Sequence, residues 1–73
     1  MPVIYVKEQG AYLKLKGGQI AVLKGKEQLL EIPLHSIDNV MVMGNVQVTT
    51  QALLKLLANG TDISYFTYGG KYI

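Results

Sequence analysis

The chain has 73 residues, 49% of them hydrophobic, with seven lysines against five acids for a net charge of +2. One small domain fits in that length, and its core is marginal because a chain of this size buries only roughly 60% of its unfolded surface. Cysteine is absent, which excludes disulfides, thiolate nucleophiles and zinc-thiolate sites, and every basic residue apart from His35 is a lysine.

Residues 3–6, a β-branched and aromatic run, read as a first strand. The segments AYLKLK and QIAVLK flank Gly17-Gly18, a two-residue loop that suits a type I′ turn. Pairing across it sets Lys16 opposite Gln19, Leu15 opposite Ile20, Lys14 opposite Ala21 and Leu13 opposite Val22. One face then carries Leu13, Leu15, Ile20 and Val22, and the other Tyr12, Lys14, Lys16 and Gln19. This is the pattern of a half-buried hairpin.

Gly25-Lys26 makes a second reversal into QLLEIP, where Leu30 and Ile32 point one way and Leu29 and Glu31 the other. Pro33 cannot donate to a ladder, so it ends the strand or sits on an edge. Residues 37–43 follow, and the unbroken apolar run 40–43 suggests a central strand covered on both faces. Gly44-Asn45 breaks it.

The one expected helix runs from about Thr50 to Ala58, with Thr49 as N-cap and Gly60 as a left-handed stop. Leu53, Leu54, Leu56 and Leu57 form its apolar stripe, with Gln51, Lys55 and Asn59 opposite. Residues 63–68 read as a strand, Gly69-Gly70 as another hairpin turn, and the chain stops inside that hairpin, as at a fragment boundary. The expected class is mainly β, or β-rich α+β: a small antiparallel β-sandwich or partial barrel with one covering helix, forming a single domain over 1–73.

Candidate chemistry is sparse. His35 lacks a second histidine or a cysteine to converge with, and it reads as a corner residue. The acids Glu8, Glu27, Glu31, Asp38 and Asp62 follow no two-carboxylate spacing and read as solvated, with Asp38 and Asp62 placed to cap loops. The Gly-Gly pairs close hairpins rather than open helices, so they are not phosphate loops. Tyr12, Lys14 and Lys16 interleave an aromatic with lysines, as a nucleic-acid backbone contact would, but such lysines also keep a sheet face soluble. Tyr65, Phe66, Tyr68 and Tyr72 exceed what one marginal core needs, which points to a covering subunit or domain. The apolar runs are too short to cross a membrane and no signal peptide is present, so the expected location is the cytoplasm.

The order Ile32-Pro33-Leu34, Ile37, Val40, Gly44-Asn45-Val46, Thr49, Leu53, Leu57, Gly60, Ile63 resembles the N-terminal β-domain of the CRISPR-associated spacer-acquisition integrase, a DNA endonuclease family. The resemblance runs nearly the whole length. It implies a metal-dependent enzyme that joins short DNA fragments into a CRISPR array, using Mg or Mn held by glutamate, histidine and aspartate in a helical domain beyond Ile73. No catalytic or metal residue carries over, and His35 is not the family's histidine. The resemblance also implies a homodimer, double-stranded DNA lying against it and a small CRISPR adaptation protein bridging two dimers. The dimer contact is expected on the last strand, at Ile63, Tyr65, Phe66, Tyr68 and Tyr72, and DNA-backbone contact at Tyr12, Lys14 and Lys16. The alternative is a free-standing small β-barrel that binds nucleic acid through Tyr12, Lys14, Lys16 and Lys24.

Overall fold

A computed structural model describes residues 3–67. The Gly69-Gly70 hairpin expected from the sequence, with Tyr68 and Tyr72, lies outside the described residues. Seven strands and one helix follow in chain order: β1 (Val3–Val6), β2 (Tyr12–Lys16), β3 (Gln19–Lys24), β4 (Glu27–Pro33), β5 (Asn39–Met43), β6 (Gln47–Val48), α1 (Thr50–Ala58) and β7 (Asp62–Phe66). A 3-10 turn, Leu34–Ser36, joins β4 to β5 and carries His35 exposed at the corner.

The strands form two open sheets, one ordered β4-β3-β2-β6 and the other β1-β5-β7. The β-rich class with one covering helix stands, but strand direction is divided. β4, β3 and β2 run antiparallel, β6 joins β2 in parallel, and β1, β5 and β7 are all parallel. The parallel sheet follows from connectivity, because each crossover between its strands passes through other elements and returns the chain in the same direction.

The first hairpin has the expected register, with Leu13 opposite Val22 and Lys16 opposite Gln19. Its turn differs. Only Gly17 takes a positive φ, +62°, which is the type II′ pattern; type I′ would need Gly18 left-handed as well. Pro33 closes β4 on the sheet edge, where its missing N–H costs no ladder bond. Between Val22 and Leu23 the β3–β4 register slips, so Leu29 is an extra residue on the edge strand.

Inward residues of both sheets build the core: Ile4, Val6, Val40 and Val42 from one, Leu13, Ile20 and Val22 from the other. α1 lies against β2 and β7 and closes this space with Ala52 and Leu56. Central β5 buries Val40 and Val42 on one face only; Met41 and Met43 on the other stay half-exposed, so the strand is not covered on both sides. Pleating puts alternate residues on opposite faces, and only one face meets the second sheet.

Two polar devices fix the loops around this core. At the helix start, Thr49 Oγ1 accepts the Ala52 N–H at 3.2 Å. At its end the Gly60 and Thr61 N–H groups bond to the carbonyls of Leu57 and Leu56, a Schellman closure. Thr61 is 3% exposed, and its hydroxyl donates to the Ile37 carbonyl at 2.8 Å while accepting from Asn59 Nδ2 at 2.9 Å. Asn59 Nδ2 also reaches the Leu34 carbonyl at 3.0 Å, so the end of α1 is tied to the turn before β5. Valine for Thr61 keeps the shape and removes both bonds, and is expected to cost about 1–3 kcal/mol. Serine should lose much less, and urea unfolding of the two variants checks the difference.

The second device is the side chain of Gln9. Its Nε2 donates to the Lys7 and Met43 carbonyls, both at 2.9 Å, and its Oε1 accepts the Asn45 N–H at 2.7 Å. One amide thereby joins the end of β1 to the turn after β5.

Candidate interaction surfaces

The outer face of the four-stranded sheet carries the residues expected to meet a nucleic-acid backbone. Alternation along β2 places Tyr12, Lys14 and Lys16 together there, beside Gln47 of β6 and Gln19, Ala21 and Leu23 of β3. Their charges are unequal in availability. Lys16 Nζ lies 3.6 Å from Glu31 Oε2 and donates to Gln28 Oε1 at 3.1 Å. Lys14 is exposed and has no ion pair among the described residues. Tyr12 is half-buried and lines a shallow hollow of about 170 Å³ with Gly10, Ala11, Asn45 and Gln47.

Lys24, included in the barrel alternative, is not part of this face. It stands on the opposite side of β3 from Leu23 and pairs with Glu8 at 3.1 Å. Both ion pairs are more than a quarter exposed on each side chain, so each contributes at most about 1 kcal/mol and can yield to a competing anion.

The last described strand divides the residues expected at a dimer contact. Ile63 packs against the core beside Val40. Tyr65 pairs with Val42 and is 37% exposed, whereas Phe66 pairs with Met43 and is half-buried. Consecutive strand residues face opposite ways, so Tyr65 and Phe66 stand on the two sides of the sheet rather than in one patch.

Three exposed apolar features were not singled out from the sequence. Val3 and Tyr5, 39% and 57% exposed, share the outer face of the parallel sheet with Met41 and Met43. Leu29, the bulge residue of β4, and Leu30 next to it lie at the mouth of a cleft they share with β1. Leu54 and Leu57 of α1 are 60% and 56% exposed. None of the three had a local signal: all four residues of β1 are apolar, so nothing marks its outer face, and the bulge and the orientation of the helix depend on packing.

The described residues bring no three of His, Cys, Asp and Glu close enough to share a metal ion. Asp38 and Asp62 meet through the backbone, Asp62 N–H to the Asp38 carbonyl at 3.0 Å, and not through side-chain caps. Among the described residues no helix is long and apolar enough to cross a membrane.

Residues 4–73 match the family described as CRISPR associated protein Cas1. The chain is 36% identical over 72 residues to CRISPR-associated endonuclease Cas1 3 of Thermus thermophilus, covering 96% of this chain and 22% of that protein. A CAS1 protein from Thermotoga maritima superposes with a TM-score of 0.84 at 25% identity, over 100% of this chain and 23% of the other. A chain of a partial Cas6-RT-Cas1–Cas2 complex shares the fold with a TM-score of 0.92 at 17% identity, over 99% of this chain and 22% of its own. The chain thus spans about a fifth of the length of the first curated relative it matches.

Proposed function

The chain belongs to the CRISPR associated protein Cas1 family, and from that premise we propose that it is the N-terminal, non-catalytic β-domain of a spacer-acquiring DNA endonuclease and integrase. In this reading it holds two copies together and helps to place double-stranded DNA, and the cutting and joining groups belong to other parts of the enzyme. One observation carries it. Nearly all of this chain aligns with only 22% of a protein named an endonuclease.

Partners follow from the same premise. A chain of the same fold sits in a Cas1–Cas2 complex, which supports a small adaptation protein as partner. Lys14, with Lys16 and Tyr12 on the same face, is the contact proposed for the DNA backbone, where lysine acts as a point charge. The divalent metal, Mg or Mn, is proposed to be held outside these 73 residues.

The dimer contact is proposed on β7 around Tyr65, with Ile63 on the same side of the strand and Phe66 on the other; Tyr68 and Tyr72, expected at the same contact, lie outside the described residues. Tyr65→Asp is expected to turn a dimer into a monomer in sedimentation velocity while leaving far-UV circular dichroism unchanged. Phe66→Asp, on the other side of the sheet, tests whether that side contributes as well. Dimers that survive both substitutions would sink the assignment to this strand.

A further inference from the structure

The chain has three asparagines, and only Asn59 is followed by glycine; Asn39 and Asn45 each precede a valine. That difference is chemical. The backbone nitrogen after an asparagine can attack the side-chain Cγ. A branched valine crowds the approach, whereas a glycine has no Cβ to obstruct it. The new N–Cγ bond closes a five-membered succinimide, the proton of the attacking nitrogen goes to solvent, and the side-chain nitrogen leaves as ammonia. Water then opens the ring at either carbonyl, giving aspartate or isoaspartate. One water is consumed and one ammonia released, with no oxidant or cofactor.

Asn59 is exposed at the C-cap of α1, so water reaches it, yet the fold holds each reacting group away from the path. Its backbone is helical, with φ −76° and ψ −10°. Ring closure needs Cβ nearly eclipsing the Gly60 nitrogen about the Cα–C bond, and a helical ψ is far from that. The Gly60 N–H is bonded to the Leu57 carbonyl at 3.0 Å, and Gly60 itself is left-handed at φ +83°. The amide that would leave is held as well. Its two N–H groups are shared among the Thr61 hydroxyl at 2.9 Å, the Leu34 carbonyl at 3.0 Å and the Ile37 carbonyl at 3.4 Å.

We propose that Asn59-Gly60 is a latent deamidation site, kept shut by the junction of α1 with the turn before β5 and opened when that junction lets go. The gate is local, because a helix end opens at lower cost than the core beneath it. Refolding cannot reverse the product. Aspartate at position 59 brings only acceptors to the Leu34 and Ile37 carbonyls, and the Thr61 hydroxyl already donates its proton to Ile37. Isoaspartate adds a backbone carbon inside the Schellman closure. Each opening therefore risks the tie for good, and a reversible fluctuation becomes an irreversible loss.

The test follows the amide at residue 59 by peptide mapping and mass spectrometry at mildly alkaline pH, with the protein folded and in denaturing urea. In urea Asn59 should deamidate at least tenfold faster than in the folded protein, while Asn39 and Asn45 stay intact over the same period. Gly60→Ala should slow the reaction in urea, where its left-handed strain does not count. Thr61→Val removes one of the three acceptors. It should react severalfold faster when folded than Val6→Ala, a change on the edge strand opposite β7, with urea used to bring the two to equal global stability. Deamidation as fast in the folded protein as in urea would overturn the proposal. Equal rates in the two folded variants would also overturn it, because global unfolding would then be the only gate. An unchanged rate for Gly60→Ala in urea, or Asn39 or Asn45 matching Asn59 there, would deny that this pair is the reactive one.

Discussion

Alanine at position 44 is expected to destabilise the domain by about 3 kcal/mol, the sum of two separable penalties. Gly44 has φ +74°, a left-handed conformation that costs an L-residue about 1–2 kcal/mol. The space a Cβ would take is also filled by the Gln9 amide, with Nε2 at 2.8 Å and Cδ at 2.9 Å from it and Oε1 closer still. A glutamine end is ordinarily free to swing away. This one is held by the Lys7 and Met43 carbonyls and the Asn45 N–H, so moving it forfeits bonds worth together about 1–3 kcal/mol. For a domain this small the loss should lower Tm by roughly 12–24 °C. Gln9→Ala removes the obstruction, so Gly44→Ala in that background should cost only the backbone strain, about 1–2 kcal/mol. Strict additivity in the four-variant cycle would show that the amide is not in the way.

Truncating Leu56 to alanine is expected to cost about 2–5 kcal/mol, because its side chain is 0% exposed and the cavity cannot refill from a neighbouring turn. A domain of this length holds roughly 4–11 kcal/mol in all, so this one change consumes a large part of it. Leu57→Ala, one residue along and 56% exposed, should fall within about 0.5 kcal/mol of the parent. Urea midpoints of the two variants read the orientation of α1 directly, and equal losses would place the helix wrongly.

That contrast marks where the sequence was readable. The helix itself was legible from Thr49, four leucines and Gly60, and its bounds came out as expected. Which leucines face inward was not, because a broad stripe permits several rotations and only the strands beneath choose one. The first hairpin was legible to the residue, since a two-residue loop leaves one register once the apolar faces must agree. The type of its turn was not, because two adjacent glycines satisfy more than one geometry.

The parallel sheet escaped for a different reason. β1, β5 and β7 each look like ordinary short strands, and nothing local says that Val3 pairs with Asn39 and Asn39 with Asp62. The two-residue β6 is below any periodicity, and the extra residue at Leu29 breaks the alternation assumed for β4. Among the candidate surfaces, the shared face of Tyr12, Lys14 and Lys16 was legible from alternation. The carboxylates that engage Lys16 and Lys24 were not, for they come from β4 and from the loop after β1.

The division into two sheets also sets a timetable for folding. Strands β2, β3 and β4 are consecutive and pair by short reversals, so residues 12–33 can close on themselves as soon as they are released. β1 is made first and must wait for β5, which pairs with it only after the whole meander has been synthesised, and β5 in turn waits for β7. Loop-closure entropy is therefore paid late and nearly all at once, which makes assembly of the parallel sheet the slow step. Until β7 arrives, β5 has β1 on one side and an unpaired edge on the other, and the interval most exposed to aggregation is the one just before residues 62–66 arrive.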